Sequence, residues 1–433
     1  MLSVEKAKRW SSEKAFVFAT IAAAVGLGNL WRFPYIAGDN GGGAFVFAYI
    51  ISIVILGLPL MMLEINAGRV ERGSPVRTFR KIWKKASIFG WLVVGLTAII
   101  MSYYLVITGW TLGFAIDSYT GNIDSFESFT SGYIPLLLFA IVTGITWYVV
   151  AKGIRAIEWL AKILMPILIA IVLGITAYSL TLEGAGEAIQ FLFNPELSAM
   201  LDHNIWLLAA GQAFYSLAIG QGYLITYGSF LPKNTNLPRA TGWVAGVESS
   251  IAIIAGLMMF PIVFTFGLNP GEGPELAFTT LPTAFEAMGF IGSTIAIFFF
   301  SLFFLAAISS CIAGMEVAKT AVKQEFDLTN KKAALYAFLP ILPLGILSAL
   351  SYTPMRVDLF GMPFLDALDL LAATQIVVSL GIIGGAIISW KIPKTHLVEG
   401  FGSENKRLAH WCVNISRLLP IPLAIILFMN IFF

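Results

Sequence analysis

Histidine, cysteine and charged residues are all scarce in this chain of 433 residues. The three histidines (His203, His396 and His410) are scattered without the spacing of metal ligands, which argues against a histidine metal centre. The two cysteines, Cys311 and Cys412, lie in apolar segments, which argues against a disulfide framework. Charged residues make up 12% of the chain, whereas a soluble domain has about 25%. These shortages exclude an ordinary soluble domain.

The chain is rich in long hydrophobic stretches. Hydrophobic residues form 58% of the chain and its mean hydropathy is +0.83, which predicts a polytopic membrane protein. The formal net charge of +2 indicates no acidic or basic partner, and nucleic acid is not expected. The first residues are polar and no small-residue cleavage pattern follows them, so a cleaved signal peptide is not predicted.

An all-α fold with eleven transmembrane helices is predicted, because each helix needs about 20 mainly apolar residues to cross a bilayer. The predicted spans are Lys14–Ala37, Gly43–Gly68, Ile88–Tyr119, Tyr133–Val150, Ile157–Leu180, Asn204–Phe230, Thr241–Phe266, Gly292–Val322, Ala333–Ser351, Asp366–Trp390 and Trp411–Phe432.

The distribution of charge predicts how these spans are oriented. Segments on one side of the layout contain 24 of the 27 basic residues, and the alternate loops contain mainly acidic residues. Such alternation is the positive-inside pattern. We therefore expect a multi-pass protein of the plasma (inner) membrane. Its amino terminus is cytoplasmic and, after an odd number of spans, its carboxyl terminus is extracytoplasmic.

Two spans contain polar and glycine-rich interruptions. In the first span, Gly26, Gly28, Asn29 and Arg32 stand where lipid favours apolar residues, and the sixth span is interrupted over 211–222. Non-helical backbone at membrane depth is tolerated where it lines a cavity, although glycines also serve close helix packing. Interruptions five spans apart predict two inverted five-helix repeats. Residues 1–433 would then form one domain, with repeats at 1–180 and 204–390 and an additional helix at 411–433.

Other polar residues within the spans have two interpretations. Ser309 and Ser310 are expected either to bond to their own helix or to complete an oxygen cage for a cation. Four acids, Glu64, Glu248, Glu316 and Asp369, each need a partner or a proton at membrane depth. For Glu64 and Glu316, an internal hydrogen-bond lock is as consistent with the sequence as direct ligand binding.

Several motifs resemble those of the neurotransmitter:sodium symporter family, and in particular its prokaryotic amino-acid transporters. The longest is Gly-Leu-Gly-Asn-Leu-Trp-Arg-Phe-Pro-Tyr at 26–35, followed by Asn-Gly-Gly-Gly-Ala-Phe at 40–45. Shorter matches are Gly-Leu-Pro-Leu at 57–60, Gly-Gln-Ala-Phe at 211–214 and Ile-Thr-Tyr at 225–227. The resemblance covers almost the whole chain.

The resemblance implies two sodium sites, one substrate site and a pair of gates. The first sodium site would comprise Ala24, Asn29, Ser216 and Glu248. The second would comprise Ala22, Val25, Ala306, Ser309 and Ser310. The substrate site would comprise Ala24, Gly26, Gly28, Ile100, Tyr104, Tyr215, Ser216, Ala218, Gln221, Ser310 and Gly314. The external gate would use Arg32 with Asp369, linked through water, together with Tyr104 and Tyr215.

Departures from the family pattern refine the expected substrate and ions. Gly26 stands where monoamine carriers have aspartate, which favours an α-amino acid over an amine. Glu248 stands where many members have asparagine or aspartate, and Ala252 replaces the serine beside chloride, so chloride is not expected. Small residues at Ala218 and Gly314 favour a large apolar or aromatic side chain, with aliphatic substrates left open.

The cytoplasmic gate of the family is altered. Its arginine, aspartate and tyrosine positions contain Ala7, Gln324 and Phe230. Lys6 or Arg9 paired with Glu325 is the expected substitute.

The fifth span differs from many members as well. It contains Pro166, but Ala156 stands at the position of the glycine that lets this helix unwind in those members. Unwinding at this point is therefore not clearly predicted.

These features together predict a sodium-coupled amino-acid symporter that works by alternating access, with the lipid bilayer, sodium ions and a small substrate as its partners. A sensor that binds substrate without cycling is the first alternative, because the inner gate is altered. An intramembrane enzyme is the second, and no metal cluster or nucleophile–base set supports it.

Overall fold

The computed structural model describes residues 9–121, 125–196, 198–232, 235–273, 276–401 and 405–418. In these ranges the chain is helical apart from loops and one short β-hairpin. Each strand of the hairpin has two residues, and Asp358–Leu359 (β1) pairs antiparallel with Met362–Pro363 (β2). The positions of Lys6 and Ala7, and the end of the eleventh predicted span, lie outside the described residues.

The first span is divided into two helices. Ser12 caps α1 (Glu13–Ala24) by accepting a hydrogen bond from the amide of Ala15 at 3.1 Å. The helix ends because Val25 turns into an extended conformation, with φ −75° and ψ 104°. The chain resumes in α2 (Gly28–Asp39), whose axis is bent by 54° from that of α1.

The remainder of the first half contains four long helices, one of which has a π-helical turn, and three short helices. The helices are α3 (Gly43–Glu71, with a π-helical turn at Ile53–Gly57), α4 (Pro75–Ile82), α5 (Lys84–Thr120), α6 (Phe126–Ser131), α7 (Ile134–Lys152), α8 (Ile154–Ser179) and α9 (Ala185–Phe193). In α8 the helix continues through Pro166, so no unwinding is present at Ala156.

The second half begins with another divided span and ends at the limit of the described residues. A 3₁₀ turn at Ala199–Leu201 comes first. The helices are α10 (His203–Ser216), α11 (Tyr223–Ser229), α12 (Leu237–Thr265), α13 (Leu281–Ala287, preceded by a π-helical turn at Leu276–Thr280), α14 (Gly289–Glu325), α15 (Asn330–Phe338), α16 (Ile341–Ala349), α17 (Phe364–Lys391), α18 (Lys394–Glu399) and α19 (Lys406–Leu418).

Seven helices of the described residues are long and apolar enough to cross a membrane, and up to nine spans result if each of two bent helix pairs counts as one. These pairs are α1 with α2, and α15 with α16, which are bent by 43°. The predicted sixth span is present as the shorter helices α10 and α11. The total of eleven spans and the inverted repeats therefore stay predictions.

Close backbone contact joins α11 to α3. A Cβ atom added to Gly68 would lie 2.0 Å from the carbonyl oxygen of Ile225, and one added to Gly228 would lie 2.3 Å from that of Ile65. Small residues of this kind let membrane helices approach until their backbones touch. The inner half of the divided sixth span is thereby packed directly on the second span.

We expect the substitution Gly228→Ala to destabilise the protein, because its methyl group would collide with backbone that no side-chain rotation can move. Overpacking of this kind costs about 1–3 kcal/mol. The thermal midpoint in detergent should fall for Gly228→Ala. Gly174→Ala is the matched control, because an added Cβ there meets nothing within 4 Å. An equal midpoint in the two variants would contradict this account of the packing.

Candidate functional site

The end of α1 exposes carbonyl oxygens in the interior of the protein. The Ser309 hydroxyl oxygen of α14 lies 2.7 Å from the carbonyl oxygen of Ala22 and 2.8 Å from that of Ala306. Its neighbour Ser310 donates a hydrogen bond to the carbonyl of Ala23 at 3.1 Å. The structure thus brings together Ala22, Ala306 and the two serines, while Ala23 is a contact that the sequence did not identify.

The second interruption, between α10 and α11, is held in place from outside its own span. Ala218 has φ +55°, a left-handed conformation that costs a non-glycine residue about 1–2 kcal/mol. The amide of Gly220 donates to the carboxylate of Glu64 at 2.9 Å, and Thr97 donates to the carbonyl of Gln221 at 2.6 Å. Glu64 is therefore an internal hydrogen-bond partner of the unwound backbone, one of the two interpretations that its sequence left open.

A buried polar cluster joins the two interruptions to α12. Asn29 donates to the Ser216 hydroxyl at 3.2 Å, and both residues bond to the carboxylate of Glu248, which is fully buried. The Tyr49 hydroxyl lies 3.1 Å from Ser216 and 3.4 Å from Glu248, and Ser249 donates to the same carboxylate at 3.1 Å. In the described part of the chain, Glu248 forms no ion pair with a lysine or arginine within 4.0 Å.

Tyr49 and Ser249 were missed by the sequence reasoning. The only signal for Tyr49 was a phenol in the middle of a lipid-length helix, where its hydroxyl needs a hydrogen-bond partner. Ser249 gave no signal beyond its position next to Glu248.

A small cavity lies between the two interruptions, with a volume of about 30 Å³, which is room for about two water molecules. It is lined by ten of the eleven residues predicted for the substrate site, namely Ala24, Gly26, Gly28, Ile100, Tyr104, Tyr215, Ser216, Ala218, Gln221 and Ser310. Ala23, Met101 and Tyr223 line it as well. The predicted residues thus lie around one cavity.

Gly314 is the exception among the eleven. A Cβ atom added to it would lie 2.5 Å from the Met101 sulfur and 2.5 Å from the Tyr223 hydroxyl oxygen. These two side chains occupy the space that Gly314 leaves. The sequence could not show this, because Met101 and Tyr223 lie on two other helices.

Two tyrosines separate this cavity from a larger outer one. The outer cavity has a volume of about 400 Å³, and Gly28, Tyr104 and Tyr215 line both cavities. The Tyr215 ring packs on Gly28, where a Cβ atom would lie 2.9 Å from it. The Tyr104 hydroxyl accepts a hydrogen bond from the amide of Leu27 at 2.9 Å.

Arg32 is placed over the tyrosine layer. Its guanidinium carbon lies 5.1 Å from the Tyr215 ring centroid, and it donates to Gln212 at 2.8 Å. Gln212 in turn donates to the carbonyl of Gly28 at 2.7 Å. Arg32 and Asp369 both line the outer cavity, and no ion pair within 4.0 Å links these two described residues.

An aromatic cluster closes the side on which Trp10 and the start of α1 lie. The Trp10 indole donates to the carbonyl of Tyr227, and the Trp10 amide donates to that of Phe230, both at 3.1 Å. The Trp10 ring makes edge contacts with both aromatic rings, at 5.1 Å and 6.4 Å between centroids. Phe230, which lacks the family hydroxyl, thus takes part in closing this side through its backbone and its ring.

Glu325 has a partner that the sequence did not identify. It pairs with Arg80 of α4, with a second hydrogen bond at 2.9 Å. The predicted pair of Glu325 with Lys6 or Arg9 stays a prediction, because Lys6 lies outside the described residues. Gln324 accepts a hydrogen bond from the amide of Ser74 at 2.8 Å. Arg80 lies on α4, a short helix between two spans. The sequence alone does not show that this helix lies close to the end of α14.

Two acids hold the beginning of the first span. Glu158 of α8 accepts hydrogen bonds from both the amide (3.0 Å) and the hydroxyl of Ser11, and it also pairs with Lys162 at 2.7 Å. Glu13, the first residue of α1, pairs with Arg239 of α12 at 2.6 Å. These contacts join the start of α1 to α8 and α12.

Known proteins with similar sequences and structures cover nearly the whole chain. The profile of the Sodium:neurotransmitter symporter family matches residues 7–127 and 124–432. The uncharacterized sodium-dependent transporter YhdH of Bacillus subtilis (strain 168) is 32% identical over 448 residues, with 99% of each chain covered. An uncharacterized sodium-dependent transporter of Methanocaldococcus jannaschii is 30% identical, over 99% of this chain and 91% of its own.

A solved structure resembles the fold closely. The crystal structure of MhsT in complex with L-phenylalanine superposes with a TM-score of 0.89 at 35% identity, over 98% of this chain and 99% of its own. With the family profile covering nearly the whole chain, this protein belongs to the sodium:neurotransmitter symporter family and is a sodium-dependent membrane transporter, not an enzyme.

Proposed function

We propose that this protein couples the movement of sodium to the uptake of an L-α-amino acid by alternating access. The observation that carries the proposal is the meeting of two helix interruptions around one cavity, between a buried carboxylate cluster and a pair of serines. Oxygen atoms dominate both polar groups, which is the ligand chemistry of hard cations. We also propose that the amino terminus lies in the cytoplasm, on the side of the basic loops, and that the carboxyl terminus lies outside.

The first sodium ion is assigned to the cluster around Glu248. Asn29 and Ser216 are already in contact with this carboxylate, and the carbonyl of Ala24 belongs to a residue that lines the adjacent cavity. A fully buried carboxylate without a basic partner needs a cation or a proton. The carboxylate of the substrate would complete the cage, so that each ligand raises the affinity for the other.

The second sodium ion is assigned to the end of α1. Its proposed ligands are the carbonyls of Ala22, Val25 and Ala306 and the hydroxyls of Ser309 and Ser310. Ser309 already bridges the carbonyls of Ala22 and Ala306, one on α1 and one on α14. A cation at this point would hold α1 against α14 and thereby keep the cytoplasmic side closed.

The substrate is assigned to the small cavity. Gly26 has no side chain, and its Cβ position lies 2.7 Å from the Tyr104 hydroxyl oxygen, which is placed to bond a carboxylate. Ile100 and Ala218 line the same cavity and suit an apolar side chain. The L-phenylalanine bound by MhsT supports a large hydrophobic or aromatic amino acid. Tyr104 and Tyr215 must move to admit the substrate, since they separate this cavity from the outer one. The cavity must also widen, because its volume of about 30 Å³ is smaller than an amino acid.

Sodium-dependent counterflow in proteoliposomes tests the function directly. We expect labelled L-phenylalanine to accumulate in vesicles loaded with unlabelled L-phenylalanine, and only when sodium is present. Tryptophan and tyrosine should compete, whereas phenethylamine should not, because it lacks the carboxylate. Binding without counterflow would instead identify a sensor, and competition by phenethylamine equal to that by phenylalanine would refute the carboxylate assignment.

Neutralising the buried carboxylate should weaken sodium binding. For Glu248→Gln, we expect the half-saturating sodium concentration for L-phenylalanine binding to rise about tenfold or more, because a charged ligand is replaced by a neutral one. The control Glu127→Gln removes an exposed carboxylate and should leave that concentration unchanged.

The same carboxylate is assigned the role that chloride has in other members. Wild-type uptake should therefore persist when chloride is replaced by gluconate. Loss of uptake in gluconate would exclude this role for Glu248.

A methyl group at Gly26 should prevent substrate binding. Its Cβ atom would lie 2.6 Å from the Ser310 hydroxyl oxygen and would occupy the side of the cavity assigned to the carboxylate. We expect Gly26→Ala to lower the affinity for L-phenylalanine at least about tenfold. Gly95→Ala, on a face where nothing lies within 4 Å, is the control. Equal affinities in the two variants would place the substrate elsewhere.

A further inference from the structure

A third cavity, of about 500 Å³, lies at the proposed cytoplasmic ends of the helices. It is bounded by α14 on one side, by the junction of α7 and α8 on another, and by Ser229 and Phe230 at the end of α11. Phe230 is also part of the aromatic cluster around Trp10. The cavity therefore lies directly on the cytoplasmic side of the layer that closes the candidate substrate site.

An ion pair is buried in the wall of this cavity. Glu316 and Lys319 of α14 are 1% and 3% exposed, and the Lys319 ammonium lies 2.6 Å from one carboxylate oxygen of Glu316. Thr320 donates to that same oxygen at 3.0 Å. The other carboxylate oxygen is buried and has no hydrogen-bond partner in the described residues. Leaving such an oxygen unpaired is costly, so a hydrogen-bond donor that reached it would stabilise the pair.

The position of the pair along α14 links it to the proposed transport route. Glu316 follows Ser310 by six residues, which is about 9 Å along a helix axis. Ser310 lines the small cavity and Glu316 lines the cytoplasmic one. The same helix thus runs from the candidate substrate site to this ion pair.

The charges in the cavity suit a zwitterion. Seven of its lining residues are basic and two, Glu316 and Asp327, are acidic, so its field attracts a carboxylate. Lys319 has three N–H donors, of which the bond to Glu316 uses one. The unpaired oxygen of Glu316 is an acceptor for an ammonium group. An α-amino acid carries both complementary groups two bonds apart.

We propose that Glu316 and Lys319 form a cytoplasmic site that receives the amino-acid zwitterion after it leaves the central cavity. The site rests on the proposed function, since it needs a substrate that carries both charges. When the protein opens towards the cytoplasm and exposes this buried pair, the α-ammonium bonds to the unpaired oxygen of Glu316, and the α-carboxylate bonds to Lys319. The side chain of the substrate remains in the wide part of the cavity, so this site does not discriminate among side chains.

Transport measured from each face of the membrane tests the site. The variant Glu316→Gln/Lys319→Gln removes both charges together and leaves no buried charge uncompensated. In inverted membrane vesicles, which present the cytoplasmic face, we expect the half-saturating concentration of labelled L-phenylalanine to rise about tenfold. In right-side-out vesicles the half-saturating concentration should not change. The maximal uptake rate should fall, because release passes through the same site.

A second ion pair supplies the matched control. Lys81 and Glu71 lie on the cytoplasmic side at 3.2 Å, are more exposed, and do not line this cavity. Glu71→Gln/Lys81→Gln should leave both half-saturating concentrations unchanged. If the buried double variant does not reach the membrane, Glu316→Asp replaces it. This variant keeps the charge on a side chain that is one methylene shorter, and it should raise the half-saturating concentration at the cytoplasmic face only.

The possible failures are distinguishable. An unchanged half-saturating concentration at the cytoplasmic face, or an equal rise at both faces, would overturn the cytoplasmic site and leave the proposed function intact. The absence of sodium-dependent uptake by the wild type in right-side-out vesicles would instead refute the proposed function.

Discussion

Backbone amides and carbonyls within a membrane must be paired inside the protein, and the two interrupted spans depend on how this requirement is met. At the end of α1 the partners are serines of α14, with Ser309 bridging the carbonyls of Ala22 and Ala306. At the second interruption they are Glu64 of α3 and Thr97 of α5. Side chains on the neighbouring long helices therefore stabilise the unwound backbone of the two interrupted spans. The serine hydroxyls at the end of α1 also belong to the oxygen atoms that we propose for the second sodium ion, whereas Glu64 and Thr97 stabilise the backbone of the second interruption.

The layers on the two sides of the small cavity are built differently. On one side Tyr104 and Tyr215 separate it from a large cavity, and Arg32 lies over this layer and bonds to Gln212. On the other side lies the Trp10 aromatic cluster, next to which Ser11 bonds to Glu158 and Glu13 pairs with Arg239. One layer is thus a pair of rings next to a large cavity, whereas the other is joined to α8 and α12.

Much of the fold and of the central site could be predicted from local sequence. Apolar length predicted the long helices, and the glycine and amide residues at 26–29 predicted where α1 ends, because these types cannot continue a lipid-facing helix. The contacts of α4 and of the residues before α1 could not be predicted in this way. The pairing of Arg80 with Glu325 and of Ser11 with Glu158 joins residues 245 and 147 positions apart, and depends on how α4 and α8 are placed. The volume at Gly314 was misjudged for the same reason, since side chains of two other helices fill it.

The glycine contacts between α3 and α11 have a mechanical consequence. Gly68 and Gly228 bring the two backbones together, and Glu64 bonds to Gly220 just before α11 begins. Three contacts thus join α11 and the turn before it to α3, so a movement of α11 would carry α3 with it. Arg80 of α4 pairs with Glu325 in the last turn of α14. The unit formed by α3 and α11 is therefore also coupled to α14 through α4 and a partly exposed ion pair.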